Sequence, residues 1–200
     1  MKLRGQELYY YDTTEIFETE RFAGRFLKML SEEMKRQNKT KILFLCIGTD
    51  RSTGDSLGPL IGYKLMEQRL PNAKIFGTLD RPVHAMNLNY CMDGIQKNFR
   101  DHIIVAVDAS LGNVEHVGYI TLGRGSLKPG LGVCKELDAV GDLFITGIVG
   151  SAKNSDPIML QSVRLSMVMR LADCISKSIG LGMRLIGKSV ENFSVGPSLF

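Results

Sequence analysis

The sequence predicts a single three-layer α/β/α domain in which helices cover both faces of a mostly parallel sheet. Three observations carry that expectation. The apolar runs at residues 41–47 and 102–108 are continuous, as in strands buried on both faces, where a half-exposed strand would alternate. Helical patterns fall between the strand-like runs, so that strand, helix, strand, helix and strand follow in order. The chain has 200 residues, the length of one domain with a sizeable core.

Residues 1–11 are polar and tyrosine-rich (Tyr9, Tyr10, Tyr11) and read as an N-terminal arm. Asp12 or Thr13 offers an N-cap signal for a helix ending near Asn38, with Phe22, Phe26, Leu30 and Met34 at four-residue steps on one face. Residues 1–40 thus form an arm and helix, 41–150 the core, and 151–200 a closing helix and tail. Within the core, the first strand ends at Gly48 and the polar loop of residues 49–55. A helix follows over 58–69, with Pro59 in its first turn. Residues 74–79 form the second strand, and Pro82 opens a helix that runs to Phe99. Strands then fall at 102–108, 117–122 and 143–149, with a glycine-rich loop over 123–132. Short links between these later strands leave room for antiparallel pairing. Pro157 opens the closing helix, which continues to about Ser178.

Composition removes several function classes. With 44% apolar and 23% charged residues the chain is ordinary globular material. Its four cysteines include no C-x-x-C pair, which excludes a disulfide scaffold, a zinc ribbon and a thioredoxin-type site. Cys46 and Cys174 lie among apolar neighbours and read as core thiols of a reducing compartment. The net charge of +4 comes from 25 basic and 21 acidic residues that are scattered, so no phosphate track and no nucleic-acid partner are expected. No apolar run approaches the roughly 20 residues of a membrane span, and the first residues lack a signal-peptide core. A cytoplasmic protein is expected.

In open α/β sheets, ligands bind beyond the carboxyl ends of the strands. Two acids fall there, Asp55 in the loop after the first strand and Asp108 at the end of the third, although 53 positions separate them. Asp55 also suits a helix cap, and Asp108 could cap the turn that follows it through Ser110 or Gly112. Gly48, Gly54 and Gly58 follow a strand, but without a G-x-G-x-x-G or a Walker lysine they suit close backbone approach better than a phosphate cradle. Gly54 and Gly130 stand in loops able to steady a substrate, and His84, near a predicted helix start, could orient one. The three histidines have no metal-ligand spacing. His102 and His116 read as structural, as does Met167 in the closing helix, and Cys134 has no identifiable base beside it.

These same residues resemble a family of spore proteases. Thr53-Gly-Asp-Ser-Leu-Gly-Pro59 and Val107-Asp-Ala-Ser110 resemble the two aspartate segments of the spore germination protease, and Pro129-Gly-Leu-Gly-Val-Cys-Lys-Glu-Leu137 resembles its Pro-Gly-x-Gly-Val loop, with a shorter spacing. Arg81-Pro-Val-His-Ala-Met-Asn-Leu88 and residues 140–149 are similar to the smaller YyaC-type sporulation proteases, and more distantly the chain resembles hydrogenase-maturation endopeptidases. The matches span about 41–150. They imply a phosphorylase/hydrolase-like fold and an endopeptidase with Asp55 and Asp108 as its catalytic pair. The implied substrates are small acid-soluble spore proteins, in the forespore or spore core. Hydrogenase-type relatives bind nickel through two acids and a histidine; Ser126-Leu-Lys128 stands where that histidine would be, so no metal or other cofactor is expected. The germination protease is longer and carries an activating propeptide, for which 200 residues leave little room. The competing expectation is a catalytically inactive peptide- or partner-binding protein that keeps the protease-like fold. The N-terminal helix and tyrosine arm could serve self-association into a homo-oligomer.

Overall fold

A computed structural model describes residues 7–129, 137–152 and 160–194. Gly130, Cys134 and the predicted helix start at Pro157 lie outside the described residues. Six strands, β1 (Leu8–Asp12), β2 (Lys41–Cys46), β3 (Ala73–Phe76), β4 (His102–Gly112), β5 (Tyr119–Arg124) and β6 (Leu143–Ser151), form one sheet in the order β1-β5-β6-β4-β2-β3. The four central and edge strands β3, β2, β4 and β6 are parallel, while β5 runs antiparallel to both β6 and β1.

The long helices among the described residues are α1 (Thr19–Gln37), α2 (Leu57–Glu67), α3 (Leu88–Asn98) and α4 (Leu165–Ser194). Alternate side chains of β2 divide the core in two. Ile42, Phe44 and Cys46 face the cluster built with Phe22, Phe26 and Leu30 of α1, Ile61 and Leu65 of α2, and Leu171 and Ile175 of α4. Leu43, Leu45 and Ile47 face the smaller cluster with Leu88 and Ile95 of α3. Both faces of the strand are buried, which is why its sequence is apolar without alternation. The three layers of the predicted domain follow from this division.

Several boundaries differ from the sequence reading, and the differences in β1, α3 and β4 have long-range causes. The tyrosine arm ends in a strand: Tyr9 and Tyr11 face the core, and β1 pairs with β5 from Leu8↔Gly123 to Asp12↔Tyr119. Asp12 caps a turn, its Oδ1 accepting from the Thr14 backbone N–H at 2.8 Å, and α1 starts only at Thr19. The helix expected from Pro82 starts at Leu88, because Val83 is held as a parallel bridge beside Ile47. β4 continues past Asp108 to Gly112 by pairing with β6, and α4 runs well beyond Ser178. Cys46 is fully buried, and burial pushes its thiol up; Met167 packs against the same core. His102 is buried against Phe99 with Nδ1 2.7 Å from Asp101, and His116 stacks between Tyr10 and Tyr119.

At the amino-terminal end of the sheet, α1 is tied to β5 through Glu33, whose side chain is wholly inaccessible. It accepts from Arg36, Gln37 and Arg124, and Arg124 also reaches Glu7 and Glu32. Burial alone would push the Glu33 carboxyl up, but the hydrogen bonds from Arg36 and Gln37 outweigh it and hold the group below its ordinary value. A lowered carboxyl stabilises the fold above its unfolded-state value and loses that contribution as pH falls through the folded one. Glu33→Ala is therefore expected to cost about 2 kcal/mol at neutral pH, with the gap to wild type narrowing on acidification below the ordinary glutamate range. Urea unfolding of both proteins across pH checks this.

Candidate active site

The chain leaves β2 at Gly48, and the way it turns there decides where Asp55 sits. Gly48 has φ +137°, and a Cβ on it would lie 2.0 Å from the Asp55 carbonyl oxygen. The Thr49 N–H donates to that same carbonyl at 3.1 Å, closing the loop on itself. Gly58, in the first turn of α2, rests equally close, since its Cβ would lie 2.0 Å from the Ile47 carbonyl oxygen. No other residue type permits this double contact of backbone on backbone. The spaced glycines after β2 are thus explained by the seating of the loop and α2 on the strand end.

Asp55 lies within a short 3-10 turn, Gly54–Ser56, that leads straight into α2, and neither helical segment has a side-chain cap hydrogen bond. The capping role open to it in the sequence is not realised. Asp108 stands on β4 opposite Thr146 of β6, one residue past the last β2–β4 pair, Cys46↔Val107. The ladder thus forks here, with β2 turning away while β4 and β6 run on. Chain order also reverses here, since β2 connects outward to β3 before the chain crosses back to β4, and such a switch point is the usual ligand crevice of an open α/β sheet.

A cavity of about 330 Å³ occupies that crevice. Asp55, Asp108 and His84 all line it, beneath a rim that includes Arg51 and Met86. Asp108 is 5% exposed, and its Oδ1 accepts from the Ala109 N–H at 2.8 Å. Burial raises its carboxyl well above the ordinary aspartate value; the charge of Asp55 raises it further, and the Ala109 amide opposes both. Burial likewise raises Asp55, against the Thr49 amide and His84. Two carboxyls lining one cavity, one of them raised by the charge of the other, disfavour joint ionisation.

Of the other two expected positioning residues, Gly54 falls elsewhere. Gly54 does not line the cavity: it is buried under Leu160 and Val163, where a Cβ would meet the Leu160 carbonyl at 2.9 Å, so it fixes the turn that carries Asp55. Gly130 lies outside the described residues, although its neighbour Pro129 lines the cavity. Among the described residues, no group of three or more His, Cys, Asp or Glu side chains is gathered as a metal ion would require. No helix of the described residues is long and apolar enough to cross a membrane.

Sequence reasoning missed Asn87. Its Oδ1 accepts the His84 backbone N–H at 2.8 Å and its Nδ2 donates to the Pro82 carbonyl at 3.0 Å, fastening the segment that presents His84. The signal was available in the three-residue spacing of His84 and Asn87 just before a helix, where an asparagine side chain commonly closes a local turn.

The Bacillus subtilis (strain 168) protein "Uncharacterized protein YyaC" is 44% identical over 159 residues, covering 80% of this chain and 78% of the relative. Among solved structures, the NiFe hydrogenase maturation protease HycI from Thermococcus kodakarensis KOD1 is similar at 18% identity and a TM-score of 0.39, over 70% of this chain and 93% of that one. The family described as "Protein of unknown function (DUF1256)" matches residues 14–178. The chain therefore belongs to the DUF1256 family.

Proposed function

We propose that the protein is an endopeptidase in which Asp55 and Asp108 together hydrolyse a peptide bond. The observation that carries this reading is the pair itself: two carboxyls from separate elements lining one cavity, both raised by burial, one raised further by the other. Asp108, the more deeply buried, keeps the shared proton, and Asp55 is the ionised partner. Asp55 takes a proton from water as the water oxygen bonds to the scissile carbonyl carbon. Asp108 gives its proton to the departing amine as the C–N bond breaks. The proton gained by Asp55 then restores the starting charge of the pair. The substrates on this reading are small acid-soluble spore proteins, the class cleaved by the germination protease that residues 53–59, 107–110 and 129–137 resemble. Its place of action would be the forespore or spore core.

Incubation with small acid-soluble spore proteins, followed by mapping of the cut, tests the activity. Asp55→Asn and Asp108→Asn should each lower kcat/KM by at least about 100-fold, as loss of an acid or base does. Undiminished cleavage by either folded variant would set the mechanism aside. Peptide binding without turnover in the wild type, unaffected by either change, would instead favour a binding protein.

The pH dependence has a fixed sign. Activity rises as the pair loses its first proton and falls as it loses the second, and both steps are displaced above the ordinary aspartate range. A bell-shaped kcat/KM profile with its acid limb above that range is expected.

On the acid limb, stability moves the opposite way from activity. The Asp108 carboxyl is raised in the fold, so its favourable contribution is complete below the unfolded-state value and is lost as pH rises through the folded one. Asp108→Asn, which removes a group that resists ionisation, is expected to stabilise the protein by on the order of 1 kcal/mol near neutral pH. The gain should vanish in acid, as read by urea unfolding at both pH values.

A further inference from the structure

His84 is held more firmly than a residue that only borders a cavity requires. Its chain neighbour Val83 bridges Ile47 in parallel, and the Val83 carbonyl accepts the Gly48 N–H at 2.8 Å, so the segment is fastened to the end of β2. Its own N–H is taken by Asn87, and its carbonyl accepts the N–H groups of Asn87 at 3.0 Å and Leu88 at 2.9 Å. The ring is fixed too. Nδ1 accepts the Met86 N–H at 3.2 Å, which only an unprotonated Nδ1 can do. The neutral ring therefore carries its hydrogen on Nε2, the one polar atom it has left for the cavity it lines with Asp55 and Asp108.

We propose that the Nε2–H of His84 is the hydrogen-bond donor that holds the scissile carbonyl oxygen and the oxyanion formed from it. The proposal rests on the peptidase reading above and deepens it by dividing the labour. With the oxyanion held by His84, neither carboxyl is needed there, and the single proton of the pair is kept for the leaving amine. As the water oxygen bonds to the carbonyl carbon, the carbonyl π electrons move onto oxygen, where a neutral donor stabilises them without itself giving up a proton. When the C–N bond breaks, those electrons re-form the carbonyl and the hydrogen bond weakens. The donor is pre-positioned, because the tautomer is set by a backbone amide before any substrate arrives.

Three proteins test this with a small acid-soluble spore protein as substrate: wild type, His84→Phe, which keeps a ring but has no donor, and His84→Gln, whose amide keeps one. The expected result is a kcat lowered by about 100-fold or more in His84→Phe with KM little changed, the size of effect a lost oxyanion donor has. His84→Gln should recover at least tenfold of that loss. Wild-type kcat in His84→Phe, or equal losses in both variants, overturns the proposal while leaving the aspartate pair standing. Absence of any cleavage by the wild type overturns both readings. Long-range ¹⁵N–¹H correlation spectra of the wild type at neutral pH give an independent reading that needs neither substrate nor a folded variant. A neutral ring protonated at Nε2 is expected, and an Nδ1–H tautomer or an imidazolium overturns the proposal.

Discussion

The site depends on one contact, that of the loop and α2 lying directly on the end of β2. At Gly48 and Gly58 the two pieces of backbone approach so closely that a single added carbon would collide with a carbonyl oxygen. The contact fixes where α2 starts, and the start of α2 fixes the short turn on which Asp55 rides. Were the loop even one methyl thicker, Asp55 would be lifted away from the strand end, and Asp108 would face an empty crevice. Packing of glycine against backbone is thus the geometric condition for the electrostatics of the pair.

The two ends of the same sheet treat buried carboxyls in opposite ways. At the amino-terminal end, Glu33 is fully buried but surrounded by Arg36, Arg124 and Gln37, and its ionised form is favoured. At the carboxyl-terminal end, Asp108 is nearly as deeply buried, it accepts a hydrogen bond from the neighbouring Ala109 amide, and its charged neighbour in the cavity is another acid. Burial is comparable; the difference lies in the company each acid keeps. A carboxylate compensated by cations is an anchor that ties α1 to β5. An acid whose charged neighbour across the cavity is another acid resists ionisation, which is the property that general acid–base work requires.

Much of this was legible in the sequence because the signals were local. β2 and the first part of β4 announce themselves as unbroken apolar runs, and the stripe of Phe22, Phe26 and Leu30 identifies the buried face of α1. Asp108 was legible for the same reason, as a charge delivered by five apolar residues to the sheet's edge. What escaped depended on partners far along the chain. β1 is a strand because β5, more than a hundred residues later, completes it, and three adjacent tyrosines show no alternation that would reveal this. Likewise β4 outlasts its apolar run because β6 accompanies it to Gly112. The start of α3 was misplaced because Pro82 is a good helix opener locally, whereas the bridge from Val83 to Ile47 keeps that segment extended. Asp55 was ambiguous between cap and site for a related reason: position along the chain is the same for both, and only the absence of a cap bond and the shared cavity separate them.

The fork in the ladder at Asp108 gives the two acids unequal footing. Asp108 is set into a strand whose backbone is paired with β6 on both sides of it, and the preceding residue, Val107, also receives the Ile47 N–H at 2.7 Å. Asp55 stands on a short turn between the buried residues Gly54 and Ser56, held by hydrogen bonds within its own loop and by the packing of Gly54 under Leu160 and Val163. One acid is thus placed by the pairing of the sheet and the other by the packing of a single loop, so that a change confined to that loop displaces Asp55 while Asp108 keeps its place.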